Sequence, residues 1–142
     1  MKWSLVFFLS LSLAACGVHS AADSADDLKA WQGTWTLADS TYNGQSIKAD
    51  LQWIVEGDHY KIRYNQTLDI VPIKLTLDAS QKHLDAVHHE TPKGTYGGTF
   101  KGLYEVSGNS LTVCLDLTGR RYPKSFDAPP GSQLVVYRFK RQ

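Results

Sequence analysis

The chain has 142 residues, 42% hydrophobic and 11% aromatic, without a low-complexity stretch, as fits one domain behind a short targeting segment. That length can bury a working core without disulfides or metals. Fifteen basic residues stand against fourteen acidic ones, and so even a balance excludes the basic field on which nucleic-acid binding depends.

The N-terminal stretch "MKWSLVFFLSLSLAACG" sets Lys2 ahead of an apolar run from Leu5 to Leu13, followed by small residues. The run is too short to cross a bilayer and reads as the core of a signal peptide. Leu13-Ala14-Ala15-Cys16 resembles a bacterial lipobox. That resemblance implies removal of residues 1–15 and acylation of Cys16. Each buried methylene contributes about 0.8 kcal/mol, so several acyl chains would hold the protein to a membrane almost permanently. Gly17, standing where an aspartate would not sort the protein outward, points by the bacterial pattern to the outer membrane, with the domain facing the periplasm. Ordinary cleavage further on, near Ser20–Asp23, would release a soluble protein instead. Loss of Lys2 with the signal leaves fourteen residues of each sign.

Residues 17–25 are small and polar, which predicts a flexible tether; residues 16–26 are then anchor and linker, and the domain spans 27–142. "DDLKAWQ" offers a helical turn with Asp26 or Asp27 as its N-cap. From Gly33 onward the pattern is of strands. "GTWTL" is the first, and "LQWIV" puts Leu51, Trp53 and Val55 on one face. Gly57-Asp58 turns the chain into "HYKIRY", where Tyr60, Ile62 and Tyr64 alternate with His59, Lys61 and Arg63. "IKLTL" follows, with Pro72 near its start, where a strand tolerates proline. "HLDAVHH" is a weaker strand. "TFKGLYEV" aligns Phe100, Gly102, Tyr104 and Val106, and "SGNS" turns into Leu111, Val113 and Leu115. "QLVVYRFK" ends the series, apolar on both faces at its centre. About eight short alternating strands predict an all-β fold, most simply a single antiparallel barrel, since closure removes the exposed edges.

Two cysteines are present. A lipidated or cleaved Cys16 leaves Cys114 with no intramolecular partner, which favours a buried, inert thiol. In "LTVCLDLTGRRYPKSF", Cys114 shares a face with Thr112 and Asp116, and the acid opposes formation of a thiolate. Arg120 and Arg121 follow a turn and could clamp an anionic headgroup, or simply hold loop carbonyls. His83, Asp85 and His89 share one strand face while His88 and Glu90 share the other. This splits a zinc-ligand set that would have to converge. No catalytic residue, metal or cofactor is expected, since no nucleophile elbow, phosphate loop or dinucleotide fingerprint occurs.

Gly33-Thr34-Trp35, opening the first strand after a helical turn, resembles the calycin signature. There an arginine of the last strand covers the tryptophan; Arg138 is the expected residue, with Arg141 just beyond it. A wider resemblance spans about Asp27 to Arg141. "DLKAWQGTW", "NGQSI", "KGLYEVSGNSLTVC", "YPKSF" and "LVVYRFKR" are similar to an uncharacterised family of small secreted bacterial lipocalin-like domains. The family sets an arginine directly before the proline, whereas here Tyr122 separates Arg121 from Pro123. The resemblance implies a lipocalin-like barrel and carries no settled activity.

Such a barrel suits a non-enzymatic lipoprotein that binds a small apolar or amphipathic ligand. Trp53, Tyr60, Tyr64 and Tyr104 would line the cavity, and Arg120 and Arg121 would touch the ligand. Alternatively the aromatics fill the barrel outright. The second functional expectation is a protein-binding module, an envelope inhibitor or immunity-type lipoprotein that neutralises an enzyme or toxin.

Overall fold

The computed structural model describes residues 21–69, 72–89 and 98–142. The lipidation site Cys16 and Glu90 lie outside them. A helix, α1 (Ala21–Trp31), precedes ten strands: β1 (Gly33–Tyr42), β2 (Gln45–Ile47), β3 (Leu51–Glu56), β4 (His59–Tyr64), β5 (Thr67–Leu68), β6 (Ile73–Asp78), β7 (His83–His88), β8 (Gly98–Ser107), β9 (Ser110–Asp116) and β10 (Leu134–Arg141). Eight of these form a closed antiparallel barrel in the order β1-β3-β4-β6-β7-β8-β9-β10, and β10 returns to pair with β1. β2 and β5 are short additions paired to β1 and β4. The barrel is thus the expected one, and the weak "HLDAVHH" candidate is a full strand.

The period-two pattern decides which side chains enter the barrel. Trp35, Trp53, Val55, Tyr60, Leu75, Leu84, Tyr104, Val113 and Phe139 point inward and are almost wholly buried. Gly102 belongs to the same inward row because nothing larger fits there. A Cβ at that position would lie 2.8 Å from both the Leu115 and Leu84 side chains. On the outside of the wall, Cys114, Ala128 and Val136 form a second buried cluster, packed against Leu103, Phe126 and Leu134. This is why β10 is apolar on both faces.

One end of the barrel is plugged by α1. The helix begins at Ala21, several residues before the expected cap, so part of the expected tether is helical. Asp27 is consequently not an N-cap but a mid-helix clasp. It accepts hydrogen bonds from the Tyr104 hydroxyl (2.5 Å) and from Lys82 Nζ (2.7 Å). Trp31 is fully buried, edge-on to Tyr104 with ring centroids 5.4 Å apart. Its carbonyl accepts from Trp35 Nε1 at 2.7 Å. Gln32 grips the β3–β4 turn in both directions, donating to the Gly57 carbonyl and accepting from its N–H.

The arginine over Trp35 is Arg141, not Arg138. Its guanidinium lies 4.2 Å from the indole centroid and donates to the carbonyls of Ala30 (2.7 Å) and Gln32. Those are carbonyls that the end of α1 leaves without helical partners. Arg138 has the opposite parity on β10 and points outward to Asp39, 3.6 Å away. Strand parity explains the difference. Arg141 shares the inward row with Tyr137 and Phe139, and its register partner is Trp35 itself.

Candidate functional site at the open mouth of the barrel

Among the described residues, the end opposite α1 is open. There the β1–β2 hairpin turns through Asn43 and Gly44, both at positive φ (51° and 75°), as a tight two-residue turn requires. The long β9–β10 connection, residues 117–133, docks on that turn. The Gly44 N–H donates to the Ala128 carbonyl at 2.7 Å, and the Gly131 N–H donates to Asn43 Oδ1 at 2.6 Å. The rim so formed encloses a cavity of about 400 Å³. Tyr42, Ile47, Tyr64 and Leu117 surround its entrance, and Leu37, Ala49, Leu51, Val135 and Tyr137 make its walls and floor. The remaining lining residue, Ser40, spends its hydroxyl on the Ile47 carbonyl at 2.6 Å. Among the described residues, no charged side chain lines the cavity.

Below Tyr137 the barrel is filled. Trp53 stacks on Tyr60 with centroids 4.5 Å apart, and packs against Phe139 (4.7 Å) and Tyr137 (5.5 Å). Burial first, and the neighbouring Tyr137 second, drive the Tyr60 hydroxyl well above its ordinary range, and Tyr137 is raised by burial too. Both therefore stay neutral, as a dry aromatic floor requires.

Only part of the expected ligand set reaches this mouth. Tyr64 stands on the rim, 54% exposed. Trp53 and Tyr60 lie beneath the floor as filling. Tyr104 is at the plugged end, its hydroxyl committed to Asp27. Arg120 and Arg121 are exposed on the β9–β10 connection and do not line the cavity. The residues missed were Tyr42, Ile47 and Leu117. Each is a large apolar side chain beside a turn, and that was the available signal, because turn-flanking apolar residues crowd one end of a barrel.

The connection itself is framework. Asp116, 5% exposed, accepts from the Thr118 N–H (2.8 Å), the Thr118 hydroxyl (2.6 Å) and the Arg121 N–H (3.2 Å). Burial works against its ionisation, but these hydrogen bonds and the Arg121 charge outweigh it and hold the carboxyl below its ordinary value. A depressed carboxylate contributes stability above its unfolded pKa, near 4, that is lost as the pH falls through the folded value. Asp116→Asn is therefore expected to flatten the loss of thermal stability between about pH 4 and pH 2 relative to the parent. An identical acid limb in both proteins would rule Asp116 out as the loop's anchor.

Further along, Tyr122 lies flat on His83, centroids 4.1 Å apart and planes within 6°, and donates to Asp85 at 2.8 Å. Lys101 covers the ring from 4.5 Å. The inserted tyrosine thus pins the connection to the outer wall of β7 and β8. His88, of opposite parity, turns inward against Phe100 at 4.6 Å, so the histidines are divided between the two faces of β7. Cys114, wholly buried behind this loop, has its thiol pushed up to about 11 by desolvation and by Asp116. At neutral pH it holds its proton and serves as packing.

Among the described residues the mouth is thus an apolar recess with a tyrosine floor, of a shape and lining suited to an apolar group. Comparison of the chain with protein-family models, with curated proteins and with solved structures finds no match.

Proposed function

We propose that the chain is a non-enzymatic, membrane-anchored lipoprotein whose barrel binds a small apolar or amphipathic ligand at its mouth. One observation carries this reading. Five large apolar side chains are exposed among the described residues, and four of them, Tyr42, Ile47, Tyr64 and Leu117, line the same cavity. The fifth, Leu68, sits on β5 in the hairpin that also carries Tyr64. Scattered exposed apolar residues need no explanation, but a set gathered round one recess marks a binding site. At about 400 Å³ the recess falls within the range of small-molecule sites, roughly 300–1,000 Å³.

Native mass spectrometry of mildly purified protein, followed by titration with dodecanoate, tests the reading. The parent is expected to bind, and Leu117→Asp to lose at least about tenfold in affinity, or roughly 1.4 kcal/mol. Because Leu117 is 36% exposed, the variant should unfold at nearly the parent's urea midpoint. A parent that binds no apolar probe would refute the ligand reading.

The filled interior beneath Tyr137 favours a second reading, the envelope inhibitor or immunity-type lipoprotein. There the rim would receive an apolar side chain of a partner enzyme or toxin. Capture of one stoichiometric envelope protein, lost in Leu117→Asp, distinguishes it from ligand binding.

A further inference from the structure

We propose that the apolar mouth faces away from the anchoring membrane and receives the uncharged end of an amphipathic molecule arriving from the aqueous compartment. The inference rests on the anchored, ligand-binding reading and adds a direction and a ligand polarity to it.

The direction follows from where the chain enters the barrel. The apolar run Leu5–Leu13 and Cys16 both precede α1, and four residues separate Cys16 from Ala21. The five Cα-to-Cα steps between them reach at most about 18 Å. α1 itself is fixed to the plugged end. Ser24 Oγ accepts from the Ala79 N–H at 3.1 Å, Asp27 holds Lys82 and Tyr104, and Gln32 holds Gly57. The mouth is a barrel's length away. β8, with ten residues, runs from the open end to the plugged end, about 33 Å along the strand and about 25 Å along the axis of a tilted barrel. For the mouth to meet the same bilayer, the barrel would have to lie on its flank. Among the described residues, the outward row of β6 to β8 carries Lys74, Asp85, Lys101 and Glu105, with only the half-buried Val87 and Leu103 apolar, so it presents a chiefly polar flank to a bilayer.

The polarity follows from the lining. Among the described lining residues, the Ser40 hydroxyl is already committed to a carbonyl, and the Tyr137 hydroxyl, kept neutral by burial, brings no charge. A charged terminus placed here would lose its hydration and gain no counter-ion from the described lining. The apolar end therefore enters and the polar head stays at the rim.

The test uses the full chain expressed in a bacterial host, with the acyl mass on Cys16 read by mass spectrometry, then reconstituted in phosphatidylcholine vesicles. Lys48→Cys, beside the rim residue Ile47, and Gln81→Cys, in the turn under α1, are each labelled with an environment-sensitive dye. Cys114 is wholly buried and stays unlabelled. The label at position 81 is expected to be quenched by spin-labelled lipid, and that at position 48 only by aqueous iodide. Dodecanoate added from water should shield position 48 from iodide, whereas dodecanedioate, charged at both ends, should not. Quenching of position 48 by lipid overturns the direction, and equal shielding by the diacid overturns the polarity. No acyl mass, or no shielding by dodecanoate, overturns instead the anchored or the ligand-binding reading beneath the inference.

Discussion

Arg141→Ala is expected to lower the stability of the fold by about 3 kcal/mol, whereas Arg138→Ala should change it by no more than about 0.5 kcal/mol. Arg141 makes charge-assisted hydrogen bonds to the carbonyls of Ala30 and Gln32 and a long, exposed one (3.4 Å) to that of Gly108, and lies over the Trp35 indole. Bonds of that kind are worth about 1.5–3 kcal/mol each, and a partly desolvated cation on a ring about 1 kcal/mol more; non-additivity brings the sum down. Truncation also leaves the last carbonyls of α1 without donors over a buried tryptophan pair. Arg138 offers only a single ion pair, 3.6 Å long, with both side chains more than two-fifths exposed. Arg141→Lys should fall between the two, because an ammonium keeps the charge but cannot fork to both carbonyls. Urea unfolding of the three variants reads these differences. Equal midpoints for Arg138→Ala and Arg141→Ala would mean that the cap is not what fastens α1 to the barrel.

The same two arginines show how far the sequence could be read. Alternation in "HYKIRY", "KGLYEV" and "LTVCLD" is enough to assign strands and inward rows, since a half-buried sheet leaves side chains no other period. Barrel closure follows from the number of strands and the need to hide edges. Parity would also have chosen Arg141 over Arg138, because only Arg141 shares a row with Phe139. The start of α1 was less visible. "AADSA" has the composition of a linker, and it becomes helix because Ser24 and Asp27 find partners in the β6–β7 turn, which are distant in sequence. The mouth was harder still. Tyr42, Ile47 and Leu117 come from three separate segments, and only the barrel's geometry gathers them. Conversely, Tyr104 resembles a cavity tyrosine until its partner Asp27 is known. Periodicity shows which face a residue occupies, but not how far along the barrel axis it lies.

Trp53→Ala is expected to cost about 3–5 kcal/mol and, at the same time, to deepen the binding site. Trp53 is 2% exposed and touches Tyr60, Tyr137 and Phe139, so its removal leaves an apolar void that its rigid aromatic neighbours cannot close. The void lies directly under Tyr137, the floor of the mouth. Dry apolar cavities of this kind take up small apolar molecules, and a ligand bound only to the folded state raises stability by mass action. Dodecanol should therefore raise the melting temperature of Trp53→Ala by more than it raises that of the parent. In the parent, the stacked pair of Trp53 and Tyr60 limits how far a tail can enter. Leu117→Asp combined with Trp53→Ala should abolish the extra rise, because the tail must still pass the rim. If parent and Trp53→Ala respond equally to dodecanol, Trp53 does not bound the site, and the tail stops above Tyr137. The comparison thus decides whether the aromatic filling is inert packing or the element that sets the length of ligand the barrel accepts.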